Sequence, residues 1–465
     1  MGDFDADVIV VGGGISGLAA AWRLQRREVR VVLLEAAPRA GGTIGSTREH
    51  ACLLESGPNS ALETTPLIGE LIGELGITGE RIAAQPAARS RYILRDNKLI
   101  ALPLSPLAFL TTPLFSAGAK LRLFREPFIG RGARAAEESV ADFVRRRLGS
   151  EILDYAINPF VAGVYAGDPA TLSLQAAFPR LFELEQKYGG LIRGQLLGAR
   201  ERARNPDQSK QAAAMLSFRD GMQTLTDAIA RRLAHIEFNA EAVRIVAGGN
   251  GFGITVNNAA GGRNYRARAV LLATPAQAAA GLIAPFAPQA AAALAAIPYP
   301  PVAVVVSAYR RETIAHALDG FGFLVPQRER RRILGAIFSS TLFAGRAPPD
   351  LALLTTFIGG MRQPELAQLP AGEITAIAQS ELSALIGAPA RAEWVRVTHW
   401  PRAIPQYTLG HPGRIARIEQ AESDFPGLFF CANYRGGIAV GDCIKSADRA
   451  ARRVAALLGV GASAA

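Results

Sequence analysis

Four β-branched residues in a row, residues 8–11, open the hydrophobic pattern of the chain. A run with no polar face predicts a short strand buried on both sides. It leads into Gly12, Gly14 and Gly17 and then into Leu18-AAAWRLQ, which has helical composition. A second strand is predicted over residues 29–35 and a third over 52–55, the latter ending in a turn at Gly57-Pro58-Asn59-Ser60. Residues 65–75 carry apolar positions at helical spacing, and 91–94 with 98–100 form a hairpin around Arg95-Asp96-Asn97.

Residues 101–119 carry no charge, and Lys120, Arg122, Arg125, Arg131 and Arg134 follow them. The run is long enough to span a bilayer, but Pro103, Pro106 and Pro113 break it. It therefore predicts broken apolar helices, either resting on one leaflet beside basic side chains or buried as core or substrate channel. Residues 137–200 read as mostly helical, interrupted at Gly163 and Gly167, and the polar stretch 200–211 reads as an exposed loop. Residues 215–233 read as strand, glycine turn and helix, with strands at 236–246 and 252–257. The uncharged stretch 269–308 is punctuated by Pro275, Pro285, Pro288 and Pro298 into strand, loop and helix. Four further strands, starting near Pro301, Gly320, Arg332 and Leu351, come in hairpin-like order and predict a mixed or antiparallel sheet. A helix over 371–386 precedes a closing strand, glycine turn and helix over 427–458.

Composition changes this picture little. A chain of 465 residues, 49% hydrophobic, predicts two or three domains with large cores. The formal charge of +11 favours anionic surfaces and ligands, but no nucleic-acid motif accompanies it, and arginine on a solvated surface accounts for most of the excess. Cys52, Cys431 and Cys443 have no metal-ligand spacing and an odd count, so no metal site is expected, and a reducing compartment fits best. The start of the chain has no leader pattern, and the expected location is cytoplasmic, peripheral on the inner face of the cell membrane.

Candidate chemistry begins at the glycines. Gly12, Gly14 and Gly17 match the G-x-G-x-x-G spacing, with Gly13, Ile15 and Ser16 between them, where a strand meets a helix N-terminus that favours phosphate. Glu35 then falls where a carboxylate meets the adenosine ribose, and an acid there selects a free 2′-hydroxyl. Arg39, Gly41, Gly42 and Thr43 continue as Arg-x-Gly-Gly, which resembles FAD enzymes of the flavin amine oxidase superfamily and points to FAD. The five histidines form no recognisable dyad with Ser, Cys or a carboxylate, so no catalytic side chain is expected and the chemistry is flavin-centred.

Gly163-VYAG, Phe178-PRLFELEQ, Gly320-FGFLVP, Ile404-PQYTLGH and Asn433-YRGGIAVGDCIKSA together resemble the oxygen-dependent protoporphyrinogen oxidase family almost end to end. The resemblance implies a mixed α/β fold: a discontinuous Rossmann-like FAD domain (1–90, 212–297 and 405–465), a mixed-sheet substrate domain (91–100 and 298–404) and a helical membrane-binding domain (101–211). It implies FAD contacts from Glu35, Ala36, Arg39, Gly42, Thr43, Gly57, Pro58, Asn59, Ser60, Val243 (through its backbone), Ile438, Ala439 and Val440. It implies a substrate site in which Arg91 pairs with a propionate, Phe321 and Leu324 sandwich the macrocycle, Gly163 offers its carbonyl and Asn59 lies nearby. The implied activity is oxidation of protoporphyrinogen IX by O2 with release of H2O2. Coproporphyrinogen III is the nearest alternative substrate, and Arg402 and Arg414 flank the last motif where extra carboxylates would need partners. An amine oxidase and a non-catalytic flavin- or porphyrin-binding protein are more distant alternatives. A homodimer is compatible with the sequence but not required by it.

Overall fold

The computed structural model describes residues 4–132, 137–198, 213–258 and 261–460. Arg134 and the predicted 200–211 loop lie outside the described residues.

The predicted first strand is Ala6–Val11, buried along almost its whole length. It lies at the centre of a seven-stranded sheet, parallel to Val31–Leu34 on one side and to Gly261–Leu272 on the other. The 12-residue Gly261–Leu272 strand does two jobs. Its first half pairs antiparallel with Gly251–Asn258, which pairs with Glu241–Gly248, and its last three residues pair parallel with Leu428–Phe430. Val11, Leu34, Leu272 and Phe430 therefore end at the same edge, where an open parallel sheet binds ligands. One face is covered by the helices Ile15–Gln25 and Val440–Leu458, which meet through Leu18, Ala21, Ala447 and Ala451. Alanine at these positions lets the helices lie close to the sheet. The other face is covered by Ala276–Ile283 and Pro288–Ala295.

A second seven-stranded sheet runs in the order Trp394–Trp400, Val302–Arg310, Leu351–Gly359, Gly335–Phe338, Gly320–Leu324, Ser90–Arg95, Lys98–Ala101. It is antiparallel except where Gly320–Leu324 lies parallel to Ser90–Arg95, so the sheet is mixed, as expected. Helix Ala371–Ile386 covers one face through Ile374, Ala378 and Leu382. The opposite face meets the strand Cys52–Glu55 and the helix Asn158–Tyr165 through Cys52, Leu54, Ala162 and Val304.

Several local expectations are corrected. Helix Asn158–Tyr165 runs through Gly163 without interruption and ends at Ala166, because the glycine backbone stays helical there. The expected 236–246 strand is two, Ile236–Glu237 and Glu241–Gly248, divided at Asn239, whose φ is +52°. The strand expected from Arg332 starts at Gly335 and gives way to a short helix at Ser339. Helix His411–Asp424 went unpredicted, its polar residues hiding a narrow buried stripe of His411, Ile418, Ala421 and Glu422.

The apolar run 101–119 is broken as its prolines predict, into Pro106–Thr111 and Ala117–Leu123. Ser105 and Ser116 cap both helices. Behind them Arg147, fully buried, sits between Glu126 (2.8 Å) and Glu185 (2.5 Å), and Glu126 also accepts from the backbone N–H groups of Leu191 and Ile192. Every charge in that group has a partner, which a buried charge requires.

Candidate active site

Helix Ile15–Gln25 starts at Gly14 with no side-chain cap and no acid in its first turn. Its N-terminal N–H groups and dipole are thus free to meet an anion. A Cβ built on Gly14 would touch nothing within 4 Å, so the backbone borders open space. Ile15, Ser16 and Gly17 are buried in that first turn. Beside it, the Glu35 carboxylate accepts from Gly13 N (2.5 Å) and Ala37 N (2.7 Å), one hydrogen bond to each oxygen. This fixes the carboxylate at the strand end and leaves lone pairs for ribose hydroxyls. Ala36 is exposed next to it.

Arg39 spends its guanidinium on its own loop. It donates to the carbonyls of Ala40 (2.9 Å), Ile44 (2.7 Å) and Gly42 (3.1 Å), and Gly41 N donates to Gly13 O (2.8 Å). Its place is therefore to shape the Gly42–Thr43 segment against the glycine turn. The Gly57–Ser60 turn closes on that segment: a Cβ on Gly57 would lie 2.0 Å from the Thr43 carbonyl oxygen, so no other residue fits. The indole N–H of Trp400 donates to Ser56 O (2.7 Å) and Asn59 Nδ2 donates to Gly57 O (3.2 Å), fixing the turn further. Val243 is the extra residue of a β-bulge on the outermost strand, and nearby Ala240 N donates to Glu35 O (2.9 Å). Ile438, Ala439 and Val440 open the terminal helix, with Asp442 accepting from Ala439 N (3.3 Å). The glycine turn, Glu35, the Arg39–Thr43 loop and the Gly57–Ser60 turn thus lie together at one sheet edge. An open glycine backbone, an uncapped helix N-terminus and a pre-held carboxylate suit a dinucleotide.

The expected substrate residues form one wall. Arg91 pairs in register with Gly322, and its guanidinium carbon lies 5.7 Å from the Phe321 ring centroid. Among the described residues Arg91 makes no ion pair, and its side chain is exposed. Phe321 is the extra residue where the strand register shifts between Gly320 and Gly322. A bulge puts its two residues on one face of a sheet, which brings Phe321 to the side of Leu324 while Phe323 turns into the core against Phe338. At the other end, a Cβ on Gly163 would lie 2.5 Å from Leu324 Cδ2, so helix and strand touch there. Phe160, one turn before Gly163 on the same helical face, is 42% exposed.

Sequence reading missed one residue that holds this wall. Arg362 donates to Val325 O (2.7 Å), Asn158 O (2.8 Å) and Asn158 Oδ1 (2.6 Å), joining the strand end to the start of the helix. Burial lowers its pKa to about 10, which still leaves it charged at neutral pH. In an arginine-rich chain nothing singles out this one. Three of the histidines are engaged with backbone groups. His411 Nε2 donates to Tyr434 O (3.0 Å), His316 Nδ1 accepts from Leu318 N (2.9 Å), and His399 Nδ1 faces Ala367 O (3.2 Å).

A parallel-sheet edge shaped for a dinucleotide, combined with a second, mixed sheet, fits an FAD-dependent oxidoreductase. A family model of flavin containing amine oxidoreductases matches residues 15–455, and the chain belongs to that family. It is 32% identical to protoporphyrinogen oxidase 2, chloroplastic/mitochondrial, of Arabidopsis thaliana, over 97% of this chain and 94% of that one. It is 26% identical to coproporphyrinogen III oxidase of Bacillus subtilis, over 96% of this chain and 97% of that one. Among solved structures, one named as a protoporphyrinogen oxidase, from Exiguobacterium sp. 255-15, superposes with a TM-score of 0.81 at 23% identity, covering 98% of this chain and all of the other.

Proposed function

We propose that this chain oxidises protoporphyrinogen IX to protoporphyrin IX with molecular oxygen, releasing hydrogen peroxide. The observation that carries the reading is the unpaired, exposed guanidinium of Arg91 at one end of the Phe321–Leu324–Gly163 wall. An arginine there meets a propionate through paired hydrogen bonds, while the wall packs a flat macrocycle. Bound FAD supplies the hydride acceptor and its reoxidation by oxygen. The chain's own residues orient and exclude: Arg91 fixes one edge of the substrate, Phe321 and Leu324 cover its face, and the Gly163 carbonyl accepts from a pyrrole N–H. The Gly12–Gly17 turn, Glu35, Gly57–Ser60, Val243 and residues 438–440 hold the cofactor. We read the three sequence regions accordingly, as FAD-binding, substrate-binding and membrane-facing parts.

Membrane contact belongs to the same reading. Leu104, Leu107, Leu110, Leu121, Phe124 and Phe128 are between 56% and 83% exposed on the broken helices. No helix of the described residues is long and apolar enough to cross a bilayer. A surface that rests in one leaflet, on the inner face of the cell membrane, accounts for that exposure.

Aerobic turnover of FAD-loaded protein with protoporphyrinogen IX and coproporphyrinogen III side by side tests the reading. Faster porphyrin fluorescence growth with the first, with peroxide released, is the expected result. Preference for the second reassigns the substrate and keeps the flavin chemistry, and no oxidation above the autoxidation blank overturns the proposal. Sedimentation of the same preparation decides between one copy and two.

A further inference from the structure

The segment Ile404-PQYTLGH has no role in the site as described so far, yet its side chains reach both halves of it. Tyr407 is 2% exposed, and its hydroxyl donates to Asn433 O (2.6 Å) and accepts from Gly437 N (2.9 Å). Its ring stacks on His411 with centroids 4.3 Å apart, and His411 Nε2 donates to Tyr434 O (3.0 Å). Three hydrogen bonds from this one segment thus hold residues 433–437, the turn that delivers Ile438, Ala439 and the terminal helix. Gly436 and Gly437 both have positive φ (85° and 123°), and Arg435 ties the outer side of the turn to Glu419 (2.9 Å) and Glu422 (2.8 Å).

The neighbouring residue reaches the other way. Gln406 is fully buried and its Nε2 donates to Tyr165 O (2.7 Å), at the end of the helix that carries Gly163. Tyr407 O accepts from Ser173 N (2.8 Å), the cap of the next helix, Leu174–Ala177. The segment is a strut with one end on the cofactor turn and the other on the substrate helix.

We infer that Gln406 and Tyr407 are positioning residues that set the distance between the substrate-lining helix and the cofactor turn, with Tyr407 acting on the cofactor end and Gln406 on the substrate end. This rests on the FAD-oxidase reading and goes beyond it, since that reading gives neither residue a role; the Tyr407 ring also packs edge-on against Tyr165 (6.3 Å between centroids), a contact that Tyr407→Phe keeps. The inference separates two effects. Removing the Tyr407 hydroxyl leaves Asn433 O and Gly437 N unpartnered in the interior and loosens the cofactor turn alone. Shortening Gln406 frees Tyr165 O and shifts the helix alone.

The test titrates FAD into deflavinated Tyr407→Phe, Gln406→Ala and parent protein, following flavin fluorescence and the visible spectrum, and then measures kcat and KM for protoporphyrinogen IX. Tyr407→Phe should weaken FAD binding about tenfold, one hydrogen bond's worth, and shift the flavin absorption band, with KM unchanged. Gln406→Ala should keep the parent's FAD affinity and spectrum and raise KM several-fold. Parent-like FAD affinity and spectrum in Tyr407→Phe, or loss of both properties together in either variant, would overturn the inference. Should Gln406→Ala fold poorly by circular dichroism, Gln406→Met keeps the bulk, loses the donor, and carries the same expectation. A parent that binds no FAD would instead refute the cofactor reading, so the two failures are distinguishable.

Discussion

Arg91 and Phe321 sit on adjacent parallel strands with the guanidinium carbon 5.7 Å from the ring centroid, an arginine braced on an aromatic face with no acid to neutralise it. The aromatic ring steadies the side chain while its hydrogen-bonding edge stays free. Arg91→Ala should raise KM for protoporphyrinogen by roughly 10–100-fold, the range for a hydrogen bond to a charged group. A propionate is remote from the reacting carbon, so kcat should stay within a few-fold of the parent. Arg91→Lys keeps the charge and loses the planar fork, and should fall between the two. An unchanged KM in Arg91→Ala would remove the propionate contact.

Gly163 and Leu324 make a second, sharper test of the wall. A methyl on Gly163 would lie 2.5 Å from Leu324 Cδ2, the far end of a flexible side chain, so Leu324 must swing aside. The helix itself gains from alanine, by up to about 1 kcal/mol. Gly163→Ala should therefore fold at least as well as the parent by thermal melting and bind substrate less tightly. Adding Leu324→Ala restores the room, and the double variant should recover part of the lost KM. Simple additivity of the two changes would mean that the residues do not share one space.

Much of this was legible in the sequence, and the limits follow from physics. The strand–glycine–helix start could be read because its pattern is local: an unbroken β-branched run, fixed glycine spacing, then helical composition. The mixed sheet was legible from run lengths and turns. The side-by-side placement of Phe321 and Leu324 was not, because strict alternation puts residues three apart on opposite faces, and only the bulge opposite Ser90–Arg95 overrides it. Arg362 and Gln406 were invisible for another reason. Their partners are backbone carbonyls far along the chain, and a carbonyl has no sequence signature. Two contacts of the basic cluster after residue 119 were hidden on the same account. Lys120 caps the carbonyls of Leu110 (2.8 Å) and Thr112 (2.7 Å), and Arg122 donates to those of Arg145 and Arg146, so both are committed to the protein.

Two buried titrating groups pull stability in opposite directions with pH. Burial raises the Glu55 carboxyl from 4.5 to about 7, although Ser46, Arg346 at 3.5 Å and the Met222 N–H favour its charged form. The folded state thus holds a proton that the unfolded chain has lost, and this contribution to stability falls as pH rises from about 4.5 to 7. Burial lowers His411 from 6.5 to about 4, against the hydrogen bond to Tyr434, which favours the cation, and with Arg414 adding to the fall. Here the unfolded chain takes up the proton first, so stability rises with pH between about 4 and 6.5. The parent should show a shallow profile across this window in urea midpoints. Glu55→Gln should uncover the rising His411 limb and His411→Gln the falling Glu55 limb. Parallel profiles for the two variants would show that neither group carries its assigned titration.

The commitment of Lys120 and Arg122 to carbonyls bears on how the surface proposed to meet a membrane should bind it. Lys120 and Arg122 keep their charge but are held back against carbonyls, Arg125 and Arg131 are exposed among the described residues, and six large apolar side chains stand in solvent. Burying one such side chain is worth about 1.5–3 kcal/mol, against about 1 kcal/mol for a basic residue near an anionic surface. Binding should therefore be driven by apolar insertion. The protein should co-sediment with vesicles of neutral phosphatidylcholine as well as with those containing anionic lipid. Raising the salt to about 0.5 M, which shortens the screening length below the spacing of the remaining charges, should weaken binding only a few-fold. Replacing Leu107, Phe124 and Phe128 by serine should reduce it at least tenfold on both kinds of vesicle. These side chains are 73%, 68% and 83% exposed, so thermal stability and solution turnover in detergent should not change. Binding confined to anionic vesicles and abolished by salt would return the surface to the electrostatic reading that the basic cluster first suggested.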